Sequence, residues 1–218
     1  GREIWYLNAS DPRFQTDWLG QAGRLPDAAY FGFGATGGGS YAAPYQAIKQ
    51  GLVLIDAANN SGVLTAQEKK AVAGFAKTIM AYQYLIPANW LYENGIRTDI
   101  SDPLKPGPVR SYTAALGFID SLLTAGYEDL NNAGSVFPFT LTSGFNGFNN
   151  IDGLKRLNKA ITARVAIYRR DWQGALNALN LSFMNLTGSL TAGPAHTFGA
   201  PPDGFNPIYK LFYPWLAA

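Results

Sequence analysis

Hydrophobic side chains recur every three or four positions along much of this chain, which is the spacing of one face of an α-helix. The clearest stretch is 154–179, LKRLNKAITARVAIYRRDWQGALNAL. Its first apolar face ends at Tyr168, a charged turn follows, and a second face begins at Trp172. Asp171 suits the N-cap of the second helix, because its carboxylate can accept from backbone N–H groups of the first turn. The stretch is typical of a tetratricopeptide-like helix pair.

The same periodicity predicts an all-α fold with no convincing set of strands. Thr65 and Glu68 form a capping box at the start of one helix, and Pro87 is expected to interrupt or kink that helix. Residues 94–107 are expected to be a polar loop. We expect tetratricopeptide-like helix pairs that carry long, irregular, aromatic-rich loops, within a single domain over 1–218. The predicted helices lie near 41–58, 65–86, 110–130, 152–169 and 172–180.

The last two predicted helices are joined by so short a turn that they must lie antiparallel and share a face. Their apolar positions are therefore expected to form one buried cluster between them. Replacing Trp172 by alanine is then predicted to cost about 3–5 kcal/mol, the usual range for emptying a core aromatic site. The cluster consists of Leu157, Ile161, Val165, Tyr168, Trp172, Leu176 and Leu179.

Composition narrows the possible functions. The chain has 218 residues, no cysteine and one histidine, His196, so it offers neither thiolate nor histidine-cluster metal sites. Its net charge of +2 gives no general attraction to nucleic acid. No run approaches the roughly 20 apolar residues of a transmembrane helix. We therefore expect no cofactor, no metal, no catalytic residue and no nucleic-acid partner.

A glycine-rich segment, Gly32–Gly37, offers an enzymatic alternative, because GFGATG fits the dinucleotide-binding fingerprint. In that interpretation 52–56 is a second strand, and Asp56 lies where a ribose-binding acid would fall. However, further glycines and Pro44 interrupt the helix that should hold the pyrophosphate, and no βα alternation follows. A glycine-rich surface loop explains the segment better.

Aromatic residues make up 14% of the chain, and many lie in segments rich in glycine, proline and asparagine. Such residues either anchor loops on a helical core or form flat platforms for sugar rings. The loop 13–41 concentrates aromatic side chains beside charged ones that can bond vicinal hydroxyl groups. We expect it to bind an oligosaccharide weakly. The candidate ligand-binding residues are Trp18, Tyr30, Phe31, Tyr41, Arg13, Arg24 and Asp27.

Several blocks, taken in order, resemble the SusD/RagB family of glycan- and nutrient-binding lipoproteins on the outer surface of Bacteroidota. Asp11-Pro12-Arg13-Phe14 stands near the start of the chain. VFPFTLTSGFNGFN at 136–149 precedes the helix pair with its ARVAIYRRDW core. Gly193-Pro-x-His196-x-Phe198 and Asn206-Pro207 follow. The resemblance spans most of the chain, and its motifs are specific together rather than singly.

The resemblance implies an all-α fold, binding without catalysis, and a location on the cell outer membrane as a surface-exposed lipoprotein. It also implies a SusC-like TonB-dependent porin as partner, with the lipoprotein acting as its lid. The lipid-bearing cysteine of the family is absent here, and family members are longer, so the chain is similar to an N-terminal half. A helical-repeat module that binds a partner protein is the alternative from another functional class.

Overall fold

The structure is a computed structural model that describes residues 38–102, 104–189 and 191–195. The chain divides into two compact units, one formed by 39–195 and the other by 1–38 with 196–218. All of the described residues except Gly38 belong to the first of these units. The expectation of a single domain over 1–218 stays a prediction.

Helices dominate the described residues, which confirms the all-α prediction. Two very short strands, β1 (Ile96–Arg97) and β2 (Val109–Arg110), pair antiparallel. β1 lies in the expected polar loop 94–107, and β2 lies just after it, at the start of the next predicted helix. Neither strand was predicted, because strands of two residues carry no readable alternation. The helices are α1 (Gly38–Asn60), α2 (Ala66–Leu91), α3 (Tyr112–Asn131), α4 (Ile151–Tyr168) and α5 (Trp172–Asn180).

Helix ends follow the capping rules. The Thr65 hydroxyl accepts from the Glu68 N–H at 3.2 Å, and the Glu68 carboxylate accepts from the Thr65 N–H at 2.8 Å, so the predicted capping box is confirmed. Asp171 caps α5 as predicted, accepting from the Gly174 N–H at 2.8 Å. Pro87, in contrast, does not end α2, which continues to Leu91. The packing of the buried residues around Pro87 outweighs the one lost backbone hydrogen bond.

The core lies where α2, α3 and α4 meet. α2 and α3 share the most extensive contact, and Gly74 and Gly126 let their backbones approach closely. A Cβ on Gly74 would lie 2.9 Å from the Gly126 carbonyl oxygen. α1 adds Ile48 to this core, whereas α5 packs on α4. The largest fully buried aliphatic side chains of the unit are Ile48, Ile96, Leu116, Ile119, Leu123, Leu130, Leu154 and Val165.

The predicted cluster between the last two helices is only partly correct. Val165 and Ile161 are buried, and Leu157 and Leu179 are half-buried. Tyr168, Trp172 and Leu176 are exposed, with 36%, 62% and 56% of their surface accessible. The reason is that α5 meets α4 through small side chains, the buried Ala175 and Ala178. The Trp172 side of α5 is therefore not part of that contact.

Candidate functional site

Aromatic side chains gather at one end of the helical unit, where α1 begins, α2 ends and α3 begins. Two tyrosines fasten the β-ribbon to this end. The Tyr45 hydroxyl donates to the Arg97 carbonyl oxygen at 2.5 Å, and the Tyr84 hydroxyl donates to that of Thr98 at 2.9 Å. These two hydrogen bonds hold the segment between α2 and α3 against the helices.

The rings at this end contact one another in sequence. Tyr41 and Tyr45 have ring centroids 4.6 Å apart, and Tyr45 meets Tyr84 edge-on at 6.0 Å. Tyr84 meets Phe118 edge-on at 5.4 Å. The Arg110 guanidinium lies over the Phe118 ring, 5.8 Å from its centroid. These edge-to-face contacts fix the ring planes of the inner aromatic layer.

An outer layer, which we call the aromatic platform, comprises Asn89, Tyr92 and Tyr112, which contact one another, and Trp90, which follows Asn89 in the last turn of α2. Trp90 and Tyr92 expose 43% and 55% of their surface. The Tyr92 and Tyr112 rings are 4.7 Å apart, and the Tyr112 hydroxyl donates to the Asn89 side-chain oxygen at 2.8 Å. The platform therefore presents large aromatic side chains to solvent beside the side-chain amide of Asn89.

The backbone of the platform is strained at Tyr92, which has φ 43° and ψ −108°. A tyrosine with positive φ costs on the order of 1–3 kcal/mol and persists only where its surroundings hold it. Its N–H donates to the Ala88 carbonyl oxygen, and its own carbonyl oxygen accepts from the Gly95 N–H at 3.1 Å. Gly95 has φ 70°, and a Cβ there would lie 2.1 Å from the Arg110 carbonyl oxygen. Both ends of this turn thus hold the Tyr92 ring outward.

The ionisable side chains at this end have pKa values that move away from neutral pH. Burial raises the pKa of Tyr45 and of Tyr84, so both hydroxyl groups stay protonated and donate their hydrogen bonds. Burial likewise raises the pKa of Tyr112. The nearby carboxyl of Asp99 has a lowered pKa because the Ser101 hydroxyl and N–H donate to it. None of these groups is poised to exchange a proton near neutral pH.

The sequence-predicted ligand residues fall mostly outside the described range. Tyr41 is described: it lies in the first turn of α1, is half-buried, and packs on Tyr45. The fingerprint glycines 32–37 and His196 are also outside, but 52–56, a strand in the dinucleotide interpretation, is helical. The predicted loop residues outside the described range are Arg13, Trp18, Arg24, Asp27, Tyr30 and Phe31.

The apolar spacing did not reveal the aromatic platform, because that spacing predicts an end of the second helix near Pro87. The signal that could have indicated the platform is the run 88–92, ANWLY, because three of the five residues that follow Pro87 are large: Trp90, Leu91 and Tyr92. In the sequence, a pair of exposed aromatic residues at a helix end looks the same as a pair that packs in the core. The two cases differ only in whether another part of the chain covers the side chains. The exposure of the platform is therefore a tertiary property.

Comparison with protein-family models, with curated protein sequences and with solved structures found no match. Within the described residues, no three His, Cys, Asp or Glu side chains group closely enough to hold a metal ion. No helix of that part of the chain combines the length and apolar character that crossing a membrane requires.

Proposed function

We propose that this chain is a non-enzymatic binding module of the cell outer membrane that captures oligosaccharide or another nutrient oligomer. It would deliver that ligand to a SusC-like TonB-dependent porin, as the sequence resemblance implies. The observation that carries the binding proposal is the aromatic platform, where Trp90 and Tyr92 are exposed and Tyr112 is held in place. The family assignment itself rests on the sequence motifs alone.

The platform suits a sugar for three physical reasons. Trp90 and Tyr92 can cover the apolar C–H face of a pyranose ring. The Asn89 amide supplies donors for hydroxyl groups. Since neutral sugars require neither net charge nor perturbed ionisation, the protonated tyrosines Tyr45 and Tyr84 below the platform serve as rigid support. Such contacts support affinities of about −4 to −8 kcal/mol, which corresponds to millimolar to micromolar binding.

The experiment is a glycan array on the whole chain, followed by calorimetry with the oligosaccharide that scores highest. Trp90→Ala and Tyr92→Ala are each expected to lower the association constant about fivefold to tenfold, since a lost stacking contact is worth ~1–1.4 kcal/mol. Trp172→Ala is the matched control, because Trp172 is another exposed tryptophan but lies on α5. Circular dichroism checks that each variant is folded.

Two outcomes would contradict the proposal. If Trp90→Ala and Trp172→Ala weaken glycan binding equally, the platform is not the site. If the whole chain binds nothing on the array, glycan capture by these residues is wrong. Co-purification with a SusC-like porin in detergent tests the delivery step separately, and failure to associate would contradict that step alone.

The exposed side of α5 favours a second candidate, a helical-repeat module that binds a partner protein. Trp172 and Leu176 expose more than half of their surface on the last described helix. Repeat helices of this kind stack because each leaves an apolar face that its neighbour covers. A porin complex that is lost in Trp172→Ala and kept in Trp90→Ala, without glycan binding by either, would favour this candidate.

A further inference from the structure

A groove of about 390 Å³ lies between α2 and α4, away from the aromatic platform residues. It arises because α3 packs broadly against both helices, whereas α2 and α4 touch each other only lightly. Ala160 stands in the groove where a larger side chain would fill it. The volume falls within the range of about 300–1,000 Å³ that is typical of small-molecule sites.

The walls of the groove are apolar except at two points. Ile79 comes from α2, Leu157 and Ile161 come from α4, and Pro194 adds an apolar side chain from the segment 191–195. Tyr82, which is 40% exposed, adds an aromatic edge. Arg164 is the single charged residue among the side chains that line it. This lining favours a ligand that is mainly apolar and carries a negative charge at one end.

Among the described residues Arg164 has no acidic partner, unlike two other cations on or next to α4, Lys155 and Arg169. Arg169 pairs with Asp120, and Lys159 lies over the Tyr127 ring at 3.8 Å. Lys155 pairs with Asp152 at 3.6 Å. The Arg164 guanidinium is exposed and enters no ion pair in that part of the chain. Its forked N–H groups match a carboxylate, which can accept two parallel hydrogen bonds.

We propose that this groove binds an amphiphilic monocarboxylate, with the apolar chain against Ile79, Leu157 and Ile161 and the carboxylate on Arg164. The site is independent of the sugar site proposed above and involves none of its residues. Because α2 and α4 are held by the core, the groove is already formed before a ligand arrives. Binding would then require no large rearrangement of the helices.

The probe is sodium decanoate below its micelle concentration, titrated into the whole chain by calorimetry. Decanol and decyltrimethylammonium have the same chain length with no charge and with the opposite charge. Decanoate is expected to bind most tightly. Arg164→Ala should lower its association constant about fivefold, the equivalent of ~1 kcal/mol for a solvent-accessible ion pair. The same variant should leave decanol binding unchanged.

Lys155→Ala is the matched control, since Lys155 is a cation on the same helix nine residues away. Nine residues are two and a half turns, so it lies on the opposite face of α4. Ala160→Trp, which fills the groove, should abolish binding of decanoate and decanol alike, with thermal unfolding as the check on its fold. Equal decanoate affinity in Arg164→Ala and Lys155→Ala, or tightest binding of the cationic chain, would overturn the proposal. That comparison decides the question even if Ala160→Trp fails to fold.

Discussion

Substitution of Asn158 should separate hydrogen bonding from packing in this core. Asn158 is fully buried, and its side-chain nitrogen donates to the Thr78 hydroxyl oxygen at 2.9 Å and to the Leu123 carbonyl oxygen at 3.0 Å. One amide therefore joins α4 to both α2 and α3. Because the Thr78 hydroxyl itself donates to the Gly74 carbonyl oxygen at 2.8 Å, it can only accept a hydrogen bond from residue 158.

Asn158→Leu keeps the number and branching of the side-chain heavy atoms, although leucine is larger. The Thr162 hydroxyl, which lies 3.5 Å from the Asn158 side-chain oxygen, keeps its bond to the backbone carbonyl oxygen of residue 158 at 2.9 Å. The substitution removes the two hydrogen bonds that the Asn158 side-chain nitrogen donates. At a net ~1 kcal/mol each, the loss is about 2 kcal/mol, partly offset by burial of a more apolar side chain. Thr78 keeps its bond to Gly74, and the Leu123 carbonyl lies within the continuous helix α3. No partner is left wholly unsatisfied, so we expect a decrease of about 1–2 kcal/mol in the free energy of unfolding.

Asn158→Asp has nearly the same shape but should be much more harmful at pH 7. Its carboxylate would face the Thr78 hydroxyl oxygen and the Leu123 carbonyl oxygen, both of which accept hydrogen bonds from Asn158. Neither can donate one to the carboxylate, because a carbonyl has no proton and the Thr78 hydroxyl already donates to Gly74. An uncompensated buried charge costs about 3–5 kcal/mol. Burial raises the folded-state pKa of the introduced carboxyl above its unfolded value of about 3.9, so its penalty shrinks as the pH falls through the raised pKa.

Urea unfolding followed by helical circular dichroism measures both variants at pH 7 and pH 5. The expected order at pH 7 is wild type, then Asn158→Leu, then Asn158→Asp, and the gap between the two variants narrows at pH 5. If Asn158→Asp is as stable as Asn158→Leu at pH 7, or if the gap does not depend on pH, the described hydrogen-bond geometry of Asn158 is wrong.

Three further predictions concern other parts of the unit. Burial opposes ionisation of Asp129, but Lys70 at 2.6 Å and Lys77 at 2.5 Å lower its pKa overall. The ionised Asp129 carboxyl therefore stabilises the fold at pH values above the pKa of the unfolded state, and this contribution is lost as the pH falls through the pKa of the folded state. In urea titrations Asp129→Asn should lower the free energy of unfolding at pH 7 and much less at pH 2. Trp172→Ala should cost below about 1 kcal/mol by the same assay, because its side chain is exposed. Gly95→Ala should lower the melting temperature measured by calorimetry, because a Cβ at φ 70° would collide with the facing strand.

The sequence by itself determined the helices and their starts. Apolar spacing located α1 to α5, and the side chains of Thr65 and Asp171 marked two N-termini, since capping depends on residues only three positions apart. These are local properties, so they can be read without knowing what packs on each helix. The end of α2 was different, because Pro87 weakens a helix locally and packing by distant residues holds the last turn together.

The tertiary structure decided which apolar faces are covered. Val165 and Trp172 both follow helical spacing, yet Val165 is fully buried and Trp172 is 62% exposed. The difference arises because α5 meets α4 through two alanines, and the sequence does not reveal which face a neighbour will choose. The aromatic platform and the Arg164 groove have the same origin. Each exists because helices far apart in the chain meet at one place and leave the adjoining side chains uncovered.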